Sequence, residues 1–128
     1  MTTLLDTHAL LWFYLDDPRL GTRARATILD PGIDKLVSPA SYWEMAIKVG
    51  KGQYVLAKPF EEFLREAIEL NGFGCLHILP RHAALLTTLP PHHKDPFDRL
   101  LIAQALSENI AIVSLDEQFD SYGVTRIW

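Results

Sequence analysis

Short apolar runs alternate with longer stretches of helical period along this chain, and that alternation permits few architectures. It is the pattern of repeated βα units wound around a mostly parallel sheet. Strands are expected at 3–6, 35–38, 76–79, 111–115 and 124–127. Helices are expected at 8–15, 22–29, 40–49, 59–70, 81–88 and 96–107, with a short one at 117–119. Turn chemistry marks the connections at Asp17-Pro18, Asp30-Pro31-Gly32, Asn71-Gly72, Pro90-Pro91 and Tyr122-Gly123. None is long enough to be an interdomain linker, so residues 1–128 read as one α/β domain with a sheet of about five strands flanked by helices.

Four acids, Asp6, Glu44, Asp98 and Asp116, fall where an expected strand hands over to an expected helix. In a parallel sheet those handovers share one edge, and ligands of open α/β sheets bind in the crevice beyond the strands' carboxyl ends. Carboxylates that converge there repel one another and stay ionised together only when a cation neutralises them. Mg²⁺ and Mn²⁺ suit such oxygen donors better than zinc does, and the chemistry expected of the centre is metal-assisted hydrolysis of a phosphodiester.

Each acid also has a local explanation. Asp6 is placed to cap the first helix. Ser41-Tyr42-Trp43-Glu44 fits a capping box in which Glu44 reaches back to the N-cap amide. Asp95-Pro96 supplies a cap and a first-turn proline, which leaves Asp98 free to point into the cleft. Asp116 fits the cap of the last short helix.

Thr7 and Ser114 lie within two residues of a proposed ligand, where a hydroxyl either orients a carboxylate or caps the chain locally. Lys48 shares a helix face with Glu44, and either touches a phosphate or forms an i,i+4 surface pair worth ~0.3 kcal/mol. Arg99 is a candidate for substrate phosphate or for positioning a carboxylate, since its guanidinium binds bidentately. His92 and His93 lack the spacing of a zinc site and read as solvated loop residues. His8 is either near the site or packed among Leu10, Leu11, Trp12 and Phe13. The groups Trp12-Phe13-Tyr14 and Tyr42-Trp43 exceed what one helix face buries, so an apolar patch for self-association or a partner helix is expected.

Apolar residues make up 48% of the chain and charged residues 22%, a globular balance rather than a disordered one. No stretch approaches the ~20 apolar residues of a membrane span, and the N-terminus has no basic signal-peptide region, so a cytoplasmic protein is expected. Cys75, the one cysteine, excludes an internal disulfide and multi-cysteine metal sites, and reads as a small buried residue. A net charge of −4 is not the footprint of a basic nucleic-acid surface. Two divalent ions would formally cancel it.

The segments Leu5-Asp6-Thr7-His8, Ser41-Tyr42-Trp43-Glu44-Met45-Ala46-Ile47-Lys48, His93-Lys94-Asp95-Pro96-Phe97-Asp98-Arg99 and Ser114-Leu115-Asp116 together resemble PIN-domain ribonucleases. The likeness is greatest to the VapC-type toxins of bacterial toxin–antitoxin pairs, and it spans essentially the whole chain. It implies a PIN fold and Mg²⁺- or Mn²⁺-dependent endonuclease action on RNA by metal-activated water. It also implies a cognate antitoxin that fills the groove beside the acids, and a homodimer. By position Asp6, Glu44, Asp98 and Asp116 would be the catalytic and metal-site acids, with Asp6 and Asp98 foremost as direct ligands and Glu44 and Asp116 binding either directly or through water. Ser114 stands where many relatives have threonine and keeps the hydroxyl. Two rivals are weighed against this reading. A receiver-like signalling domain needs an acid after its third strand, where this chain has Pro80-Arg81. A catalytically silent PIN-like module that only binds RNA or protein would not require all four acids.

Overall fold

The computed structural model describes residues 1–128. In chain order the elements are β1 (Thr2–Leu5), α1 (Thr7–Tyr14), α2 (Thr22–Leu29), β2 (Asp34–Val37), α3 (Pro39–Gly50) and α4 (Phe60–Leu64), which runs on as a π-type turn over Arg65–Glu69. Then come β3 (Gly74–Cys75), α5 (Pro80–Leu86), α6 (Pro96–Glu108), β4 (Ala111–Val113), a 3₁₀ turn (Glu117–Tyr122) and β5 (Arg126–Ile127). The strands pair in the order β3-β2-β1-β4-β5, and every pairing is parallel.

Register explains how this sheet carries two cores. Leu5 lies level with Val37 and Val113, and Val113 with Ile127, and all four pack in one cluster with Leu10, Met45 and Phe63. One residue earlier, Leu4 lies level with Ile112, and both join Leu101, Ile102, Ala105 and Phe119 in a second cluster. Successive side chains on a strand point to opposite faces, so neighbouring apolar residues feed opposite cores. α6 closes the second core, and its length is fixed by Asp95 at the N-cap and by Asn109 in a left-handed conformation (φ 52°) at the other end.

Four expectations need correction. The third strand forms at Gly74–Cys75, not at 76–79. β2 stops at Val37 because Ser38 caps α3, so its neighbour loses a partner after the Leu76 amide reaches Val37 O. The chain then crosses to α6, where Gln104 Nε2 donates to the carbonyls of Leu76 and His77. Cys75, on this edge strand, is exposed rather than buried. The Ser41/Glu44 capping box does not form, because Ser38 Oγ accepts from the Ala40 amide and Pro39 takes the first helical position. Finally, only Asp6 sits directly after a strand; Asp116 follows β4 after Ser114 and Leu115, Glu44 lies within α3, and Asp98 in the first turn of α6 follows a loop.

Candidate metal centre

The sheet changes winding direction between β1 and β4, and a crevice opens beyond their carboxyl ends. Asp6 leaves β1 there as the N-cap of α1, with Oδ1 accepting from the Ala9 amide at 2.7 Å. Asp116 leaves β4 there as the cap of the 3₁₀ turn, with Oδ1 accepting from the Gln118 amide at 2.9 Å. Capping and convergence are therefore compatible, because a cap occupies one carboxylate oxygen and leaves the other. Asp95 caps α6 alone, accepting from the amides of Phe97 and Asp98, so the Asp98 carboxylate turns into the crevice. Asp6, Asp98 and Asp116 line one cavity of about 390 Å³ with His8, Trp12 and Leu115.

Glu44 stands behind this cavity with 4% of its surface exposed. Thr7 Oγ1 donates to its Oε1 at 2.7 Å, and Lys48 Nζ to its Oε2 at 2.8 Å. Thr7 is thus a carboxylate-orienting hydroxyl, and Lys48 a half-buried partner of Glu44. Ser114 is buried and accepts from the Asp116 amide, and its hydroxyl counters the rise of the Asp6 carboxyl across the ends of β1 and β4. Arg99 points elsewhere. Its guanidinium donates to the carbonyls of Leu89, Pro90 and His93 and to Tyr122 Oη, and so clamps the 89–93 loop.

The electrostatics register the convergence. Burial pushes Asp98 up to about 8, with Asp95, Asp6, Glu44 and Asp116 each adding to the rise. Burial also pushes Asp6 up to about 6, against hydrogen bonds from Ser114 and the Ala9 amide and the charge of His8, while Glu44 adds to the rise. Lys48 on Glu44 is the one lysine or arginine ion pair made by the four acids. Asp98 still exposes 25% of its side chain. An excess of partly desolvated carboxylate oxygens reachable from solvent is the donor set that fits Mg²⁺ or Mn²⁺.

One residue of the site escaped the sequence reading. His93 is not solvated: it is 9% exposed, with Nε2 at 2.7 Å from Asp116 Oδ2 and 3.3 Å from Asp98 Oδ2. His93 Nε2 and one oxygen each of Asp98 and Asp116 lie within 4.8 Å of one another. No local spacing announces it, since Asp116 is 23 residues away. His8, by contrast, is exposed and stacks on Trp12 at 5.2 Å. Both line an apolar groove of about 430 Å³ that runs from the acids between α1 and the 53–58 segment, past Leu11, Tyr54 and Val55. On another side of the site Trp43, 60% exposed, meets Phe97 edge-on at 5.1 Å.

The fold recurs in known proteins. The sequence model of the PIN domain matches residues 3–124. No curated protein matches the chain in sequence. Among solved structures, VapBC2 from Rickettsia felis, determined bound to a DNA fragment from its promoter, superposes with a TM-score of 0.73 at 15% identity, covering 98% of this chain and 97% of that one. VapBC-1 from nontypeable Haemophilus influenzae gives 0.66 at 18% identity, with 98% and 96% covered. FitAcB from Neisseria gonorrhoeae gives 0.68 at 20% identity, with 97% and 95% covered. The all-parallel five-stranded sheet, the helices around it and the sequence match agree: the chain belongs to the PIN-domain family.

Proposed function

We propose that residues 1–128 act as one PIN-like unit, a Mg²⁺- or Mn²⁺-dependent endoribonuclease that is the toxin of a toxin–antitoxin pair. The observation that carries the reading is Asp98, pushed up to about 8 by burial and by four neighbouring carboxylates beside a reachable cavity. Asp6 and Asp98 would hold a divalent ion there, which would supply an activated water and positive charge against the phosphate. Asp6 and Asp98 supply the direct oxygen ligands. Glu44, held by Thr7 and Lys48, and Asp116, held from β4, complete the negative field. Ser114 fixes Asp6 through its hydroxyl. No side-chain nucleophile is required.

The partners follow from surfaces beside the acids. The apolar groove along α1 is the seat for an antitoxin segment, and the VapBC names of the fold neighbours support a partner of that kind. The exposed Trp43 on Phe97 supports a homodimer. No helix of the chain is long and apolar enough to cross a membrane.

The purified chain is expected to cut RNA in Mg²⁺ or Mn²⁺ and to be silent in chelator, with mapped RNA ends as the readout. Expression alone should arrest growth, and the antitoxin should relieve it. RNA or protein affinity that persists in chelator, with no cutting under any divalent metal, would make the chain a binding module instead.

A further inference from the structure

We propose that His93 is a positioning residue of the acid site that acts through Asp116, and not a ligand of the cation; this rests on the divalent-metal reading above. Three donor atoms within 4.8 Å have the spacing of a metal triad of His93, Asp98 and Asp116. The hydrogen bonds give the ring another task. The Asp95 amide donates to His93 Nδ1 at 3.1 Å, so the ring proton sits on Nε2. A nitrogen that carries a proton has no lone pair to give an ion. It donates instead to Asp116 Oδ2 at 2.7 Å and lies 3.3 Å from Asp98 Oδ2. The two carboxylates are thereby drawn to one point although their charges oppose it.

The ring is held on every side. It is 9% exposed and lies edge-on to Phe119, itself fully buried, with ring centres 5.7 Å apart. Its own amide donates to Tyr122 Oη at 2.8 Å, and Tyr122 Oη donates to Pro90 O at 2.7 Å. Arg99 grips the same loop at Pro90 O and Leu89 O. The Asp95 amide thus fixes the tautomer, and Tyr122 and Arg99 fix the ring's position. Asp116, whose Oδ1 takes the Gln118 amide, is oriented through both oxygens. Outer-shell partners of this kind hold a ligand set in register for its ion.

Mn²⁺ alone, without RNA, is the probe, titrated by electron paramagnetic resonance into the full chain and into His93→Leu and His93→Gln. Leucine removes the donor and is expected to weaken Mn²⁺ binding about tenfold or more. Glutamine places an amide N–H near the position of Nε2 and is expected to recover most of that loss. Pulsed resonance on the wild-type complex should show no nitrogen bonded to the ion, a readout that survives even if the leucine variant does not fold. Imidazole nitrogen coupling in the wild type, unweakened binding by a folded His93→Leu, or no recovery in a folded His93→Gln would each overturn the assignment. Absence of Mn²⁺ binding by the wild-type chain is a different outcome, which defeats the metal reading itself and this assignment with it.

Discussion

Two buried histidines in this molecule are built alike and serve different ends. His82, in the first turn of α5, accepts the Leu79 amide on Nδ1 at 3.0 Å and turns Nε2 towards Glu108 at 3.3 Å. His93, just before α6, accepts the Asp95 amide on Nδ1 at 3.1 Å and turns Nε2 towards Asp116 and Asp98. What differs is the charge around them. Glu108 also receives Arg81, whose hydrogen bond, more than any other contact, holds its carboxyl below the usual range. Asp98 has no such cation, and burial with four surrounding acids moves it the other way, to about 8. The histidine device is common to both, so the balance of carboxylates against cations is what separates a structural joint from the proposed metal site.

Removing an acid from the second setting should have the largest effect. Asp98→Asn takes away a proposed direct ligand while keeping the size of the side chain, and RNA cleavage in Mn²⁺ is expected to fall at least about 100-fold. Its fold should survive, and in chelator at pH 8 its unfolding temperature should rise, since one member of a repelling cluster is gone. A variant that cuts at the wild-type rate would remove Asp98 from the chemistry.

The same imbalance sets the pH dependence. Asp98 and Asp6 titrate at about 8 and about 6 in the folded chain, against 3.8 for an ordinary aspartate. Across the interval between those values the folded chain retains protons that the unfolded chain has already released. Stability therefore falls as pH rises through that interval. In chelator the unfolding temperature should drop between pH 5 and pH 8 by more than the rest of the chain accounts for. Saturating Mn²⁺ should flatten or reverse the slope, because the bound ion stabilises the ionised carboxylates. Parallel slopes with and without metal would mean that the acids do not share a cation.

His82→Ala provides the intermediate effect and separates the two histidines. His82 is fully buried, and truncation leaves both a cavity and an unpartnered Leu79 amide at the start of α5. A loss of about 2–4 kcal/mol is expected in denaturant unfolding, with Mn²⁺ affinity unchanged. A metal defect in this variant would couple two regions that are distinct in the fold.

The legibility of the sequence follows the same division between local and distant causes. Strand–helix alternation is local, and it located every helix and the central strands, because turn residues and caps such as Asp95-Pro96 act over a few positions. The third strand was misplaced because its extent depends on where β2 loses itself to the Ser38 cap, a fact about another segment. Asp6 and Asp116 begin elements as N-caps and Asp98 lies in the first turn of α6, positions a sequence marks locally, whereas Glu44 sits inside α3 and its place behind the crevice depends on how α3 packs. His93 was not, because its role is set by Asp116 across the fold and by a loop that Arg99 and Tyr122 hold. Arg99, whose fork suits a phosphate or a carboxylate, is instead taken up by the carbonyls of Leu89, Pro90 and His93.

The smallest effect tests the principle most directly. Arg81→Ala removes the cation from the His82–Glu108 joint, and Arg81 is 59% exposed, so its loss should lower the unfolding temperature by only about 1–4 °C. If lack of a cation were sufficient to create a metal site, this variant would acquire one. Glu108 is a single carboxylate there, whereas Asp98 shares one cavity with Asp6 and Asp116 and feels the charge of Glu44 behind it. One carboxylate and a histidine whose free nitrogen is a donor leave an ion mostly hydrated, and binding stays weak. Mn²⁺ titration of Arg81→Ala should therefore show the stoichiometry of the wild type. A second bound ion in this variant would demonstrate that charge imbalance alone suffices and that convergence of several acids is not what the cation requires.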